Sequence, residues 1–279
     1  MLTLDTDQLS TQEIQQYLQY AIAPRPICFA STIDLEGNVN LSPFSFFNLF
    51  SMNPPICIFS PSRRVRDNTT KHTLENIKEV PECVINIVNY NMVQQVSLSS
   101  CDYPKGTSEF IKAGFTELAS ELVRPPRVAE SPIQLECIIQ EVIALGAQAG
   151  AGNLVLAEIK KIHLHDSILD ASNHIDQAKL DLVARLGGDW YARITEANLF
   201  KVEKPNTKLG IGFDQLPKLI KESSLFTANE KAQLANTNIA PLLDTTNELK
   251  LSPQKIQEIK VALSNNETEL AWVIIQTSV

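Results

Sequence analysis

The sequence predicts a mainly β protein, an antiparallel barrel with peripheral helices, followed by a helical C-terminal appendage. Three observations predict it. Short runs rich in β-branched and aromatic residues recur at 27–33, 39–44, 56–60 and 83–89, and longer ones follow at 133–145 and 154–165. Helical patterns interrupt these runs without the strict alternation that a doubly wound parallel sheet requires. The character changes after about Pro205, where capping signals introduce helices instead of strands. The chain therefore divides into 1–204 and 205–279.

The first element is a helix. Ser10 and Glu13 have capping-box spacing, and Ile14, Tyr17, Leu18 and Ala21 recur at helical intervals until Pro24 and Pro26 stop it. Asp34-Leu-Glu-Gly-Asn38 then turns the first β-run into the second as a hairpin. Helices are predicted at 70–79, opening among threonines, at 91–99 with Asn91 as its cap, and at 107–113, stopped by Gly114. The run Gly146-Ala-Gln-Ala-Gly-Ala-Gly-Asn153 joins the two long strands as a second hairpin. In the appendage, Thr227 with Glu230 forms another capping box. Ser252-Pro253 opens a helix carrying Ile256, Ile259 and Leu263, and 270–275 is a final apolar run. A segment this short is small for an independent core, so its apolar faces are expected to bury against the barrel or a partner chain.

Composition narrows the function classes. Of 279 residues 44% are hydrophobic, enough for a sizeable core, and the net charge of −8 disfavours nucleic acid as a partner. The N-terminus lacks a basic segment followed by an apolar one. The longest uncharged stretch, between Glu141 and Glu158, is too short and too glycine-rich for a membrane span, so a cytoplasmic protein is expected. The five cysteines show no CxxC spacing, and four of them sit in apolar β-runs, as reduced core thiols do. His163 and His165 share one face of a predicted strand, but no ligand pattern accompanies them and no metal is expected.

Two segments could carry chemistry. In an acidic chain, 60–73 gathers Arg63, Arg64, Arg66 and Lys71 among Ser60, Ser62, Asn68, Thr69, Thr70 and Thr73, between a strand and a helix start. Cations, hydroxyls and free helix N–H groups are what a phosphate dianion needs; a solvated basic loop is the plainer reading. Asn40-Leu-Ser-Pro-Phe-Ser-Phe-Phe-Asn48 sets small donors and acceptors beside aromatic rings. That mixture suits a planar hydrogen-bonding ligand, or simply a strand edge. The glycine run lacks GxGxxG order, and neither a GxSxG elbow nor an HExxH motif occurs.

Several motifs in order resemble the flavin reductase-like family. They are Pro24-Arg-Pro-Ile-Cys-Phe-Ala-Ser-Thr32, Asp34 with Gly37, Asn40-Leu-Ser-Pro-Phe-Ser45, Asn53-Pro-Pro, and Asn76-Ile77. Val84-Ile-Asn86, Glu109-Phe110 with Ala113-Gly114, and Arg185-Leu-Gly-Gly188 with Tyr191 complete the set. The resemblance spans roughly 20–200 and implies an FMN-binding split β-barrel, usually a homodimer with flavin near the subunit interface. It places Thr32, Asn40, Ser42 and Ser45 along the flavin ring and ribityl chain. Ser60, Ser62, Arg66, Asn68, Lys71 and Thr73 then hold the phosphate, and Gly188 permits a close approach to the cofactor or a partner chain. The family often has Lys-Asp-Thr where this chain has Lys71-His-Thr73. FMN is the implied cofactor, with FAD as the alternative, and NADH or NADPH the implied reductant. The implied activity is NAD(P)H-dependent flavin reduction, with no catalytic acid or base assigned. The rivals are a non-catalytic FMN electron carrier and a barrel that has lost flavin. A monooxygenase or another electron-acceptor protein is the implied partner.

Overall fold

Seven strands pair antiparallel throughout into one sheet, in the order β2-β1-β5-β8-β9-β4-β3. The computed structural model describes residues 1–204, 209–237 and 251–278. In chain order the elements of the first part are α1 (Thr11–Ala21), β1 (Cys28–Ile33), β2 (Val39–Phe44), β3 (Phe47–Met52), β4 (Pro55–Phe59), α2 (His72–Glu79) and β5 (Glu82–Ile87). Then come α3 (Val93–Leu98), α4 (Glu109–Ala113), β6 (Glu117–Leu118), β7 (Arg127–Val128), β8 (Ile133–Ala144) and β9 (Asn153–Leu164). Last are α5 (Gln177–Leu180), β10 (Val183–Arg185) and β11 (Tyr191–Arg193).

Topology alone makes this sheet a barrel. Six spacings of about 4.8 Å would put the edges of a flat seven-stranded sheet about 29 Å apart. Yet the edge strands β2 and β3 are consecutive, and Phe44 and Phe47 are joined by a tether spanning at most about 11 Å. The sheet must curl until its edges approach at that end. β2 and β3 do not pair, so the barrel is split along that seam.

Alternation along β1 shows both faces being used. Cys28 and Ala30 point into a core with Phe44, Phe59, Ile85, Cys137, Val155 and Ala157, whereas Phe29 packs outward with Leu41, Phe110, Phe115 and Val128. α3 and α4 cover that second face through Val96, Phe110 and Ala113. Cys28, Cys57, Cys83 and Cys137 are buried free thiols and serve as core side chains, while Cys101 is exposed.

Most of the expected elements are found, with shifted ends. β3 is an addition: Phe47-Asn-Leu-Phe-Ser-Met52 lacks two-residue alternation because both of its faces carry large apolar side chains, most of them exposed. Two caps differ from expectation. Asn91 lies in a short 3₁₀ turn and does not cap α3, which begins at Val93 without a side-chain cap. α2 starts after Lys71 instead of among the threonines, and the Thr70 hydroxyl donates to Glu75 Oε1 (2.7 Å).

The chain divides into two units, Met1–Leu199 and Phe200–Val279; the boundary expected at Pro205 lies outside the described residues. The second unit contains α6 (Lys218–Lys221), α7 (Ala228–Leu234), α8 (Pro253–Ser264) and α9 (Thr268–Gln276). Thr227 and Glu230 cap α7 reciprocally, and Ser252 caps α8 by accepting from the Lys255 amide. Its apolar faces meet one another. Ile220, Phe226, Leu234, Ile259, Leu263, Trp272 and Ile275 form a buried cluster, and Trp272 Nε1 donates to the Leu234 carbonyl at 3.0 Å. This unit thus has a core of its own, which its length alone did not suggest.

Candidate functional site

The basic loop after β4 is held in shape by its own arginines. Arg63 Nε donates to Asn68 Oδ1 (2.6 Å), and Asn68 takes the left-handed conformation (φ 58°) that closes the turn. Arg64 bonds Thr69 Oγ1 (2.9 Å) and the Thr70 carbonyl, and pairs with Asp102 (3.2 Å). Arg66 is largely exposed and pairs with Asp67 (3.0 Å) and Asp102 (2.7 Å).

The glycine-rich hairpin forms the floor of this loop. Arg63 and Ala151 bond through their backbones (2.8 Å), the Asn153 amide donates to Ser60 Oγ (3.1 Å), and Asn153 Nδ2 donates to the Pro61 carbonyl (3.0 Å). A Cβ on Gly152 would lie 2.8 Å from Ser60 Oγ, so this contact needs glycine.

Lys71 is the group this loop leaves unanswered. It is half-buried, and no carboxylate lies within ion-pair distance of its ammonium among the described residues. Burial, then the nearby Arg64 charge, lowers its pKa below the ordinary lysine value. α2 begins beside it with no side-chain cap, and of its first amides that of Leu74 bonds the Lys71 carbonyl (3.0 Å). The hydroxyls of Ser42 and Ser62, each half-exposed, have no protein partner among the described residues.

Three expected ligands have side chains bonded within the protein. Thr73 is fully buried and donates to Asn40 Oδ1 (2.6 Å); Asn40 Nδ2 donates to Glu109 Oε1 (2.8 Å); the second Glu109 oxygen accepts from the Leu41 amide (2.8 Å). Thr32, also fully buried, accepts from Asn76 Nδ2 (3.3 Å). Burial raises the Glu109 pKa, against the pull of the hydrogen bonds it accepts. The network ties β2, the start of α2 and α4 together, so the loop is fixed to the barrel wall at its far end.

Ser45 belongs to a second hub. Arg25 Nε donates to Ser45 Oγ (3.3 Å), while its other nitrogens reach the carbonyls of Gln19 (2.6 Å), Ile22 (2.8 Å) and Leu186 (3.0 Å). Gly187 and Gly188 sit where the Tyr20 side chain passes: a Cβ would lie 2.3 Å and 2.5 Å from its atoms. The close approach at this pair is thus made by α1 of the same chain.

Glu109, Asn76, Asn153 and Arg25 were given no role from sequence. The signal for Glu109, Asn76 and Arg25 was position within ordered motifs, and for Asn153 only its place in the hairpin run; only folding shows that they support the exposed donors. His163 is occupied structurally, 2.7 Å from the buried Glu136, and no cluster fit for a metal occurs among the described residues. No helix among the described residues is long and apolar enough to cross a membrane.

Comparison with known proteins identifies the architecture. An uncharacterised protein of Halalkalibacterium halodurans is 35% identical over 73% of this chain and 97% of its own length. Nitrilotriacetate monooxygenase component B from Bacillus cereus superposes with a TM-score of 0.67 at 27% identity, covering 72% of this chain and 98% of that one. A split-barrel protein of the flavin reductase type from Shewanella frigidimarina gives a TM-score of 0.61 at 26% identity, covering 71% and 95%. The flavoredoxin of Desulfovibrio vulgaris, at 20% identity and a TM-score of 0.55, shares the fold. The model of the flavin reductase like domain matches residues 20–179, and the chain belongs to that family.

Proposed function

We propose that this protein binds FMN between the β2 end and the 60–73 loop and serves as an NAD(P)H-dependent flavin reductase. The observation that carries the reading is the half-buried, unpaired Lys71 beside the uncapped start of α2, a fit for a phosphate dianion. When bound, the flavin supplies the hydride and electron chemistry; the chain supplies binding, orientation and electrostatics.

In this reading Lys71, Ser62 and the first amides of α2 hold the phosphate directly. Arg66 joins them by exchanging its exposed pairs with Asp67 and Asp102, which costs little at the surface. Ser60 and Asn68 keep the loop in place; Thr73, Asn40 and Thr32 keep β2 and α2 in register behind it. Ser42 and Ser45 face the ring and ribityl chain, with Ser45 oriented by Arg25. Gly188 keeps the adjacent turn close to α1.

The edge strand β3 exposes Leu49, Phe50 and Met52, with Phe46 beside it, and a second copy of this chain covers them in a homodimer. The likeness to a protein named as one component of a monooxygenase supports a separate acceptor protein as the consumer of reduced flavin. The test is direct. The purified chain should show flavin absorbance and oxidise NADH or NADPH steadily with added FMN. Bound FMN without any pyridine-nucleotide oxidation would replace the enzyme with an electron carrier.

A further inference from the structure

A cleft of about 380 Å³ opens between α3 and the β10–β11 hairpin, and none of its lining residues belongs to the flavin site. Tyr90, Gln94 and Ser97 line one side; Arg185, Asp189 and Tyr191 line the other. Its walls are prearranged. Arg193 lies 3.7 Å over the Tyr90 ring and grips Asp181 with two bonds of 2.7 and 2.8 Å, which neutralises it and fixes the ring. Arg185 stacks on Tyr191 at 4.6 Å but has no carboxylate partner within ion-pair distance among the described residues. The cleft therefore offers one guanidinium bonded only to the Trp190 carbonyl (3.3 Å) and unpaired with any carboxylate among the described residues, two aromatic rings and one exposed carboxylate, Asp189.

That set matches a nucleotide. A guanidinium takes a phosphate, tyrosine rings take a base face, and a carboxylate accepts from ribose hydroxyls. A single-ring aromatic acid would leave much of the volume empty and would offer Asp189 no hydroxyl donor. Position adds a second argument. The Arg185 backbone exchanges hydrogen bonds with Arg25 (2.9 and 2.8 Å), and the Arg25 side chain holds Ser45, at the end of the proposed flavin pocket.

We propose that this cleft seats the adenosine-phosphate half of a pyridine nucleotide, with Arg185 on phosphate, Asp189 on ribose and the tyrosines on the base. The identity of the whole nucleotide as hydride donor rests on the reductase reading; the chemistry of the cleft does not.

The experiment titrates 5′-AMP calorimetrically into the full chain loaded with FMN. Wild type should bind with Kd below about 1 mM, and Arg185→Ala should weaken binding at least about tenfold through one lost charge-assisted bond. Ser97→Phe fills the cleft from α3 without touching Arg185, and should weaken AMP equally if Arg185→Ala disturbs folding. FMN absorbance should be the same in both variants. Asp189→Asn should narrow the preference for 5′-AMP over 2′,5′-ADP. Failure of AMP to bind, equal binding by both variants, or displacement of AMP by benzoate would overturn the assignment. If AMP binds as expected but neither NADH nor NADPH is oxidised, the cleft stands and the reductase reading fails. If NADH is oxidised with a KM that neither variant changes, the reductase reading stands and the cleft falls.

Discussion

Two side chains, Lys71 and Glu109, set the electrostatics of the proposed flavin site from opposite directions. Burial and the Arg64 charge lower the Lys71 pKa, so its charged form is under-compensated until an anion arrives. A bound phosphate raises that pKa again, so binding takes up a proton wherever free Lys71 has begun to lose its own. FMN affinity should therefore fall as pH rises from the lowered free-state value toward the ordinary lysine value of about 10.4. Riboflavin, lacking the phosphate, should show no such decline. Lys71→Met should abolish the pH dependence and weaken FMN by about 10- to 100-fold, as expected for a hydrogen bond to a charged group. Fluorescence titrations of both flavins across the alkaline range check this, and equal pH profiles would remove Lys71 from the phosphate site. Glu109 is a support with a different signature. Both of its oxygens accept, from Asn40 Nδ2 and the Leu41 amide, so Glu109→Gln turns one buried acceptor into a donor facing a donor. A loss of about 1–3 kcal/mol of stability is expected in urea unfolding. FMN should bind more weakly too, because Asn40 and Thr73 lose their anchor. Unchanged stability would mean that the network relaxes around the amide.

Edge strand β3 is where an element's sequence and its surroundings disagree most. Phe50 is 66% exposed and Met52 79%, on a strand whose outer edge is unpaired. Phe50→Glu should leave the barrel folded, since most of the ring is already exposed, but should shift sedimentation toward the monomer and weaken FMN if the interface shapes the pocket. A wild type that sediments as a monomer with flavin bound would end the dimer proposal. The same strand shows what the sequence could and could not disclose. β1, β2, β8 and β9 were legible because a sheet face buried on one side leaves a two-residue period or a long apolar run. β3 was not, because its apolar residues answer to a seam and an exposed surface instead of one core face. Likewise the 60–73 loop was legible as a cation cluster, but which cation stays unpaired was not. Arg64 and Arg66 are engaged by Asp102, more than thirty residues away in sequence, and only folding brings it there. Thr73 and Asn40 could be named as ligands by residue type, but their mutual hydrogen bond, across 33 residues of sequence, could not be read there. The capping boxes at Ser10 and Thr227 were readable because their bonds span three residues and depend on nothing distant.

At the scale of the whole molecule, the two units divide the work unequally. Every residue of the proposed flavin site and of the nucleotide cleft lies within Met1–Leu199. The Halalkalibacterium relative is matched over 97% of its length by 73% of this chain, so a family member exists without an equivalent of the remainder. The second unit buries Ile220, Leu234, Ile259, Trp272 and Ile275 among its own helices, which makes it a separate folding problem. A chain ending at Leu199 should therefore remain soluble, bind FMN within about twofold of the full chain, and keep the pH dependence set by Lys71, because a twofold change is only about 0.4 kcal/mol. Thermal unfolding of the full chain should show a transition that the shortened chain lacks, corresponding to the helical unit. The decisive measurement is FMN titration of both chains side by side. If the shortened chain is folded by circular dichroism yet binds FMN at least about tenfold more weakly, residues beyond Leu199 take part in the cofactor site and its boundaries have been drawn too narrowly. If both chains unfold in one identical transition, the helical unit adds no cooperative structure of its own, and its buried tryptophan does not report a core.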